Sequence, residues 1–270
     1  MAMNSEIGAN IPTIKVYSDK FSGHVAVLTG AAQGIGAVTA QLFAQQGAQV
    51  IILDIQEELL QKVQCLIQSR GGKASYLVCD ITDERQIHES VDSIIRQFQK
   101  IDILANIAGI YLFDLLNDMT TESYRRMMSV NLDASFYLTR AVLPHMQRSG
   151  YGRIIHTSSS TFQEPEPGLA VYATSKAAII GLVRGTSVEA GPGVTVNAVM
   201  PGLIKTDQVW NSGVQSDGSH SLFERVIAKQ DVKRCGTPDD IAHAFCFIAS
   251  PEASFISGQI FDVSGGETFH

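Results

Sequence analysis

The sequence of 270 residues predicts a single-domain, doubly wound α/β fold, a parallel seven-stranded sheet flanked by helices. Three observations carry that expectation. Short runs rich in Val and Ile alternate with longer amphipathic stretches from Val25 to the C-terminus. Those runs are apolar throughout, which marks strands buried on both faces, as in parallel sheets. No Pro/Gly/Ser-rich linker divides the chain into comparable halves. Parallel neighbours need crossover connections, nearly always right-handed, so helices fall on the two faces of the sheet.

Taken in order, VAVLT (25–29) is the first strand and is followed by a helical pattern to Gln46. AQVIILD (48–54) is the second, with a helical pattern to about Arg70. KASYLVCD (73–80), IDILANIAG (101–109), GRIIHTSS (152–159), VTVNAVMPG (194–202) and GQIFDVSGG (258–266) complete the series. The stretch YRRMMSVNLDASFYLTRAVLPHM reads as one long helix with Asn131 inside it. Residues 1–20 read as a flexible leader and 21–270 as the folded domain. Between Gly202 and Lys229 the rhythm breaks into polar and turn residues around the lone tryptophan, Trp210, ending in a short amphipathic helix. So long an insertion points to a functional segment, a mobile lid at about 203–229.

Composition excludes several classes. With 45% hydrophobic and 17% charged residues, the chain is neither disordered nor fibrous. A net charge of −7 argues against a nucleic-acid or anionic-membrane surface. No apolar run reaches the length of a transmembrane helix, and the N-terminus lacks the apolar core of a secretory signal. Cys65, Cys79, Cys235 and Cys246 are scattered without metal-ligand spacing and read as reduced thiols of a cytoplasmic protein.

Directly after the first strand, TGAAQGIG places glycines at 30, 34 and 36 before a helix. Glycine allows close backbone approach, and the free amides of a helix N-terminus attract a pyrophosphate. The spacing departs from GxGxxG, but its position in the first βα turn of a parallel sheet is where dinucleotides bind. Asp54 ends the second strand, placed to accept hydrogen bonds from an adenosine ribose. It would repel a 2′-phosphate, since two like charges about 4 Å apart cost roughly 4 kcal/mol at an effective dielectric near 20. No Arg or Lys lies in TGAAQGIG or DIQEE to reverse the sign, so NAD is preferred over NADP.

A second pattern lies in VYATSKAAIIGL (171–182). Residues four apart share a helix face, so Tyr172 and Lys176 point the same way. Of the seven tyrosines, only Tyr172 has a lysine at that spacing. A phenol of pKa near 10 is a poor base at pH 7, and an ammonium about 4–6 Å away lowers it by about three units. That tuning is what general acid–base catalysis requires.

Together these pieces resemble the short-chain dehydrogenase/reductase family, in its classical branch, over roughly residues 22–266. The marks are TGAAQGIG (29–36), CDIT (79–82), NIAG (106–109), Asn131 in SVNLDASF, TSSS (157–160), YATSK (172–176), NAVMPGLIKT (197–206), RCGTPDDIA (234–242) and SGQIFDVSGG (257–266). One departure is Ile107, where the family usually has a second Asn. The resemblance implies a Rossmann fold and a catalytic set of Asn131, Ser159, Tyr172 and Lys176. Ser159 would hold the substrate oxygen, with Ser158 and Ser160 facing away by strand alternation. Tyr172 would shuttle the proton, Lys176 would also bind the nicotinamide ribose, and Asn131 would hold a water on the proton path.

The same resemblance implies that Gly30, Gln33, Gly34, Ile35 and Gly36 cradle the cofactor, with Asp54 on its ribose. Asp80 and Ile81 would flank the adenine, and Asn106, Ala108 and Gly109 would line the groove. Pro201, Gly202, Ile204 and Thr206 would wrap the nicotinamide, Thr206 bonding its carboxamide. The reaction implied is NAD(H)-dependent hydride transfer between a secondary alcohol and a ketone.

For substrate, Tyr111, Phe162, Gln163 and Trp210 are the candidates. Ile110, Leu112, Phe113, Leu203, Val209, Leu222 and Phe223 would complete a predominantly apolar pocket for a neutral, hydrophobic or cyclic molecule. Lys205 and Arg225 lie in the lid without forming an evident anion clamp. The alternatives are a catalytically repurposed or cofactor-sensing member of the fold, and a methyltransferase, which has no use for Tyr172 and Lys176. By the same resemblance the chain forms a homotetramer or homodimer.

Overall fold

The seven expected strands are β1 (Val25–Thr29), β2 (Gln49–Asp54), β3 (Lys73–Val78), β4 (Ile103–Asn106), β5 (Gly152–Thr157), β6 (Val194–Pro201) and β7 (Ile260–Val263). In this computed structural model, which describes residues 19–212 and 221–269, they form one sheet of order β3-β2-β1-β4-β5-β6-β7. Every pairing is parallel, from Val25 opposite Gln49 to Pro201 opposite Val263. β1 is buried at all five positions and β6 at all eight, the physical counterpart of their unbroken apolar runs.

The helices are α1 (Gly34–Gln45), α2 (Glu57–Ser69), α3 (Glu84–Phe98), α4 (Thr121–Met128), α5 (Ala134–Ser149), α6 (Ala170–Glu189), α7 (Asp207–Ser212), α8 (Ser221–Lys229) and α9 (Pro238–Ala249). Their apolar stripes cover the sheet in two layers. On one face α1, α2 and α9 bring Phe43, Leu60, Val63, Ile241 and Phe245 against Ala26, Leu28, Val50 and Ile52. On the other, α3, α5 and α6 bring Ile87, Val91, Leu138, Val142, Ile179 and Val183 against Val25, Val27, Ile51 and Leu53. Helix ends follow local chemistry. Asp83 caps α3 through the amides of Arg85 and Gln86, and Thr237 with Asp240 forms a capping box before Pro238 at the start of α9.

Two expectations change. The long helix around Asn131 is divided: α4 and α5 are separated by a π-helical turn, Ser129–Asp133. Such wide turns recur at functional sites because they displace one residue from the helical register, which periodicity cannot reveal. β5 stops at Thr157, so the strand alternation used for Ser158 to Ser160 ends before it reaches them. Residues 1–18 of the expected leader and 213–220 of the expected lid lie outside the described residues. Among the described residues no helix is long and apolar enough to cross a membrane, and the four cysteines are free thiols.

A buried polar network ties the two central strands together. Thr29 Oγ1 donates to Asn106 Oδ1 at 2.6 Å and accepts from the amides of Ile107 and Ala108. Asn106 Nδ2 donates to Ser135 Oγ at 2.9 Å and to His156 Nδ1 at 3.3 Å, while His156 Nε2 faces Thr139 Oγ1 at 2.9 Å. An imidazole that accepts at Nδ1 and donates from Nε2 is neutral. Burial pulls its pKa down to about 4, with the nearby Lys176 charge acting in the same direction. Unfolded, the ring takes up a proton near pH 6.5. Stability from this group is therefore complete above that pH and is lost as the pH falls to about 4. At roughly 1.4 kcal/mol per pKa unit the loss is on the order of 3 kcal/mol. His156→Gln is expected to flatten this part of the Tm-against-pH curve; an acid slope equal to that of the parent protein would refute it.

Candidate active site

β1 and β4 are sheet neighbours although β2 and β3 lie between them in sequence, so chain direction across the sheet reverses there. Loops leaving their C-terminal ends part at such a point and open a crevice. The cleft has a volume of about 1380 Å³. A pocket for one drug-sized ligand is roughly 300–1,000 Å³, so this one has room for more than one molecule.

Its floor is built by glycines. A Cβ on Gly30 would stand 2.7 Å from Ala108 Cα, and one on Gly36 would stand 2.1 Å from the Gly30 carbonyl oxygen. Gly30 also has φ +64°, in the left-handed region. The turn is bare backbone leading into the N-terminus of α1, which suits a pyrophosphate. Gln33, Gly34, Ile35, Gly36, Ala108 and Gly109 line the same cleft.

At the far end of the floor, Asp54 Oδ2 accepts from the Ala32 amide at 3.3 Å, tying β2 to the glycine turn. Its Oδ1 accepts from the amides of Ile55 at 2.8 Å and Gln56 at 3.2 Å. Among the described residues it has no ion pair, and the cleft residues beside it in sequence, Leu53, Ile55 and Gln56, carry no charge. Asp80, held by the Thr82 amide and hydroxyl at 2.9 and 2.7 Å, lines the cleft with Ile81. Asn106 does not. It is 2% exposed, and its amide is consumed by the network between β1, β4 and β5, so it supports the groove from beneath.

Ser159, Tyr172 and Lys176 all line the cleft. Lys176 is 3% exposed; its Nζ donates to the Thr157 carbonyl at 3.0 Å and lies 5.9 Å from the Tyr172 ring centroid. Burial pulls its pKa down to about 8, so it is largely an ammonium at neutral pH. Ser159 Oγ donates to Thr161 Oγ1 at 2.9 Å and accepts from the Thr161 amide at 3.2 Å, while Ser158 turns inward and donates to the Lys176 carbonyl at 2.8 Å. Ser158 and Ser160 line the same cleft as Ser159, so the expected alternation does not separate them: a 3₁₀ turn capped by Ser159 replaces the strand pleat. Burial raises the Tyr172 phenol above its ordinary value, the Ser159 hydrogen bond opposes this, and Tyr111 adds to the rise. Desolvation therefore outweighs the lowering expected from Lys176.

Asn131 is 1% exposed in the π-helical turn. Its Oδ1 accepts from the Ile110 amide at 2.9 Å, and its Nδ2 donates to the Ile110 carbonyl and to Ser175 Oγ, both at 2.9 Å. Both amide hydrogens are thus committed to holding the 109–110 loop against α6. Gly109 lies between this amide and the lysine.

Comparison with known proteins accords with this geometry. The sequence profile described as enoyl-(acyl carrier protein) reductase matches residues 30–268. The chain belongs to the short-chain dehydrogenase/reductase family. This oxidoreductase is 36% identical over 248 residues to a 3-oxoacyl-[acyl-carrier-protein] reductase of Thermotoga maritima, covering 92% of this chain and 98% of that one. Its fold superposes with a TM-score of 0.88 on a 7α-hydroxysteroid dehydrogenase complexed with NADH and 7-oxo glycochenodeoxycholic acid, at 34% identity over 94% of this chain and 98% of that one. A xylitol dehydrogenase bound to NAD⁺ gives a TM-score of 0.85 at 30% identity, covering 92% of this chain and all of that one.

In this short-chain dehydrogenase/reductase the exit from β6 closes the cleft. Pro201, Gly202, Ile204 and Thr206 line it, and Thr206 Cγ2 lies 3.4 Å from where a Gly34 Cβ would stand. Thr206 Oγ1 accepts from the Val209 amide at 3.2 Å and so caps α7, leaving its hydroxyl hydrogen free to donate. Tyr111 lies edge-on to Tyr172, with ring centroids 6.3 Å apart, and lines the wall with Ile110, Leu112, Phe113, Leu203, Val209 and Leu222.

Phe162, Gln163, Trp210 and Phe223 are not in that wall. Trp210 packs on Phe223 at 4.9 Å and lies 3.7 Å beneath Lys205 Nζ, joining α7 to α8. Gln163 faces the Phe269 carbonyl at 3.5 Å. The wall is also less apolar than expected. Glu164, Glu166 and Glu267 line it together with Arg225 and Lys229. These come from the β5–α6 loop, α8 and the C-terminal tail; only their charge could have flagged them, and charges usually mark solvated surface.

A Cβ at Gly109 would stand 3.1 Å from Lys176 Nζ and 3.2 Å from Asn131 Oδ1. Gly109→Val is expected to lower kcat/KM tenfold or more, as displacements of about 1 Å do. Unchanged turnover in a folded variant would show that neither neighbour is on the reaction path.

Proposed function

We propose that this oxidoreductase interconverts a secondary alcohol and a ketone with NAD(H) as hydride carrier. The observation that carries the reading is one continuous cleft, with Ser159, Tyr172 and Lys176 at one end and the bare glycine turn and Asp54 at the other. A carboxyamide dinucleotide fits the bare backbone of that turn, and the two structural relatives described with NADH and NAD⁺ support a nicotinamide cofactor. The names of the relatives, a 3-oxoacyl-[acyl-carrier-protein] reductase, a 7α-hydroxysteroid dehydrogenase and a xylitol dehydrogenase, support carbonyl–alcohol chemistry.

When bound, the nicotinamide supplies the hydride acceptor in oxidation and the donor in reduction. The Ser159 hydroxyl holds the substrate oxygen. Tyr172 Oη takes the alcohol proton in oxidation and returns it to the carbonyl oxygen in reduction. Lys176 keeps a positive charge 5.9 Å from the Tyr172 ring, favouring the phenolate over the phenol. It also presents donors to the nicotinamide ribose. Asn131 fixes Gly109 and Ile110 beside that lysine, and the remaining lone pair of its Oδ1 is the acceptor for a water on the proton path.

Asp54 favours NAD, because a 2′-phosphate would bring negative charge against a carboxylate with no cation beside it. The free thiols fit a reducing cytoplasm. Exposed Tyr124, Phe136, Phe247 and Phe255 supply apolar surface for the homotetramer or homodimer.

Tyr172→Phe is expected to lose about 10²–10⁴-fold in turnover, the range of a general acid–base group, while still quenching NADH fluorescence on binding. Full turnover in that variant would end the mechanism. Asp54→Asn is expected to shift the NAD:NADP ratio of kcat/KM toward NADP by about tenfold or more. An unaltered ratio would remove Asp54 from cofactor selection.

A further inference from the structure

At the polar end of the cleft a half-buried carboxylate, Glu267, has no partner among the described residues. Glu164 pairs with Lys229 at 3.0 Å and Glu166 with Arg225 at 3.7 Å, joining the β5–α6 loop to α8. Glu267 lines the same space and is half-buried, yet among the described residues its carboxylate makes no hydrogen bond or ion pair. Its Oε2 lies 3.3 Å from where a Cβ of Gly202 would be, and Gly202 lies in the β6 exit that borders the nicotinamide end.

The tail is built to hold Glu267 there. Gly265 and Gly266, at φ +70° and +78°, turn the chain back after β7, and L side chains rarely adopt that conformation. The Val232 amide donates to the Gly265 carbonyl at 2.9 Å. Immediately beyond Glu267, buried Thr268 donates from Oγ1 to Asp262 Oδ2 at 2.7 Å, pinning the tail to β7. Glu267 is thus fixed from both sides with its carboxylate facing the cleft.

Resting on the alcohol–ketone reading, we propose that Glu267 is a specificity-determining residue that accepts a hydrogen bond from a second hydroxyl of a neutral substrate. A half-buried carboxylate without a partner has lost water without regaining a donor, a cost that a substrate hydroxyl repays. The surrounding charges, three carboxylates against two cations, disfavour an anionic substrate, which would meet Glu164, Glu166 and Glu267. Burial raises the Glu267 pKa, and Lys229 opposes this, so the carboxylate senses the charge carried by α8. The apolar wall of Tyr111, Leu112, Leu203, Leu222 and Val226 accepts the hydrocarbon body.

The test compares matched alcohols and diols with the full-length enzyme and NAD: cyclohexanol against 1,4-cyclohexanediol, and 2-octanol against 1,7-octanediol and 2,7-octanediol. The expected result is a diol-to-alcohol ratio in kcat/KM of about tenfold or more, typical of a hydrogen bond to a charged acceptor. Glu267→Ala should collapse that ratio toward one, with Glu267→Gln, which retains an amide acceptor, falling between. Turnover of the simple alcohols without a diol advantage, or a ratio unchanged in Glu267→Ala, overturns the Glu267 assignment and leaves the dehydrogenase reading intact. Absence of turnover with every compound, together with no NADH binding, overturns both.

Discussion

The cleft depends on one hydrogen bond across the middle of the sheet, from Thr29 Oγ1 to Asn106 Oδ1 at 2.6 Å. It joins the C-terminal ends of β1 and β4, the two strands between which the chain changes direction. The same hydroxyl accepts from the amides of Ile107 and Ala108, so it sets the path of the loop that leaves β4. That loop touches Gly30 on one side and carries Gly109 between Lys176 and Asn131 on the other. Substrate chemistry and cofactor cradle are therefore referred to a single buried threonine and its amide partner.

Around Tyr172 and Lys176, buried side chains are held by neighbours serving different parts of the site. Asn131 spends its amide on Ile110 and Ser175, and Ser175 donates to the Tyr172 carbonyl at 2.7 Å. Lys176 is anchored by Thr157 and, through its own carbonyl, by Ser158. An ammonium so enclosed is costly in isolation, and its lowered pKa of about 8 reflects that cost. The enclosure also preserves its electrostatic reach, because solvent screens a buried charge less than an exposed one. At the charged end of the cleft the logic differs: the ion pairs of Glu164 and Glu166 are exposed and contribute little to stability, leaving them free to shape the local charge.

Much of this was legible in the chain. VAVLT through GQIFDVSGG appear as strands within a few residues of their expected limits, because burial on both faces imposes unbroken apolar runs. Asp54, the glycine turn and the Tyr172–Lys176 pair reach the cleft because each lies at an element end or repeat distance dictated by local geometry. Trp210 lies outside the cleft lining for the opposite reason. Its place in the chain says nothing about which way an indole packs, and Phe223 and Lys205 claim it.

By itself the sequence determined the strands, their parallel pairing through crossover helices, the glycine turn and the shared helix face of Tyr172 and Lys176, since these follow from short-range periodicity and backbone sterics. Tertiary structure alone decided that Asn106 is a buried strut, that Asn131 occupies a π-helical turn, and that Tyr172 is raised by burial. It also brought Glu164, Glu166, Arg225, Lys229 and Glu267 from three distant segments to one end of the cleft. Desolvation and charge pairing depend on which distant atoms become neighbours, and no local pattern encodes that distance.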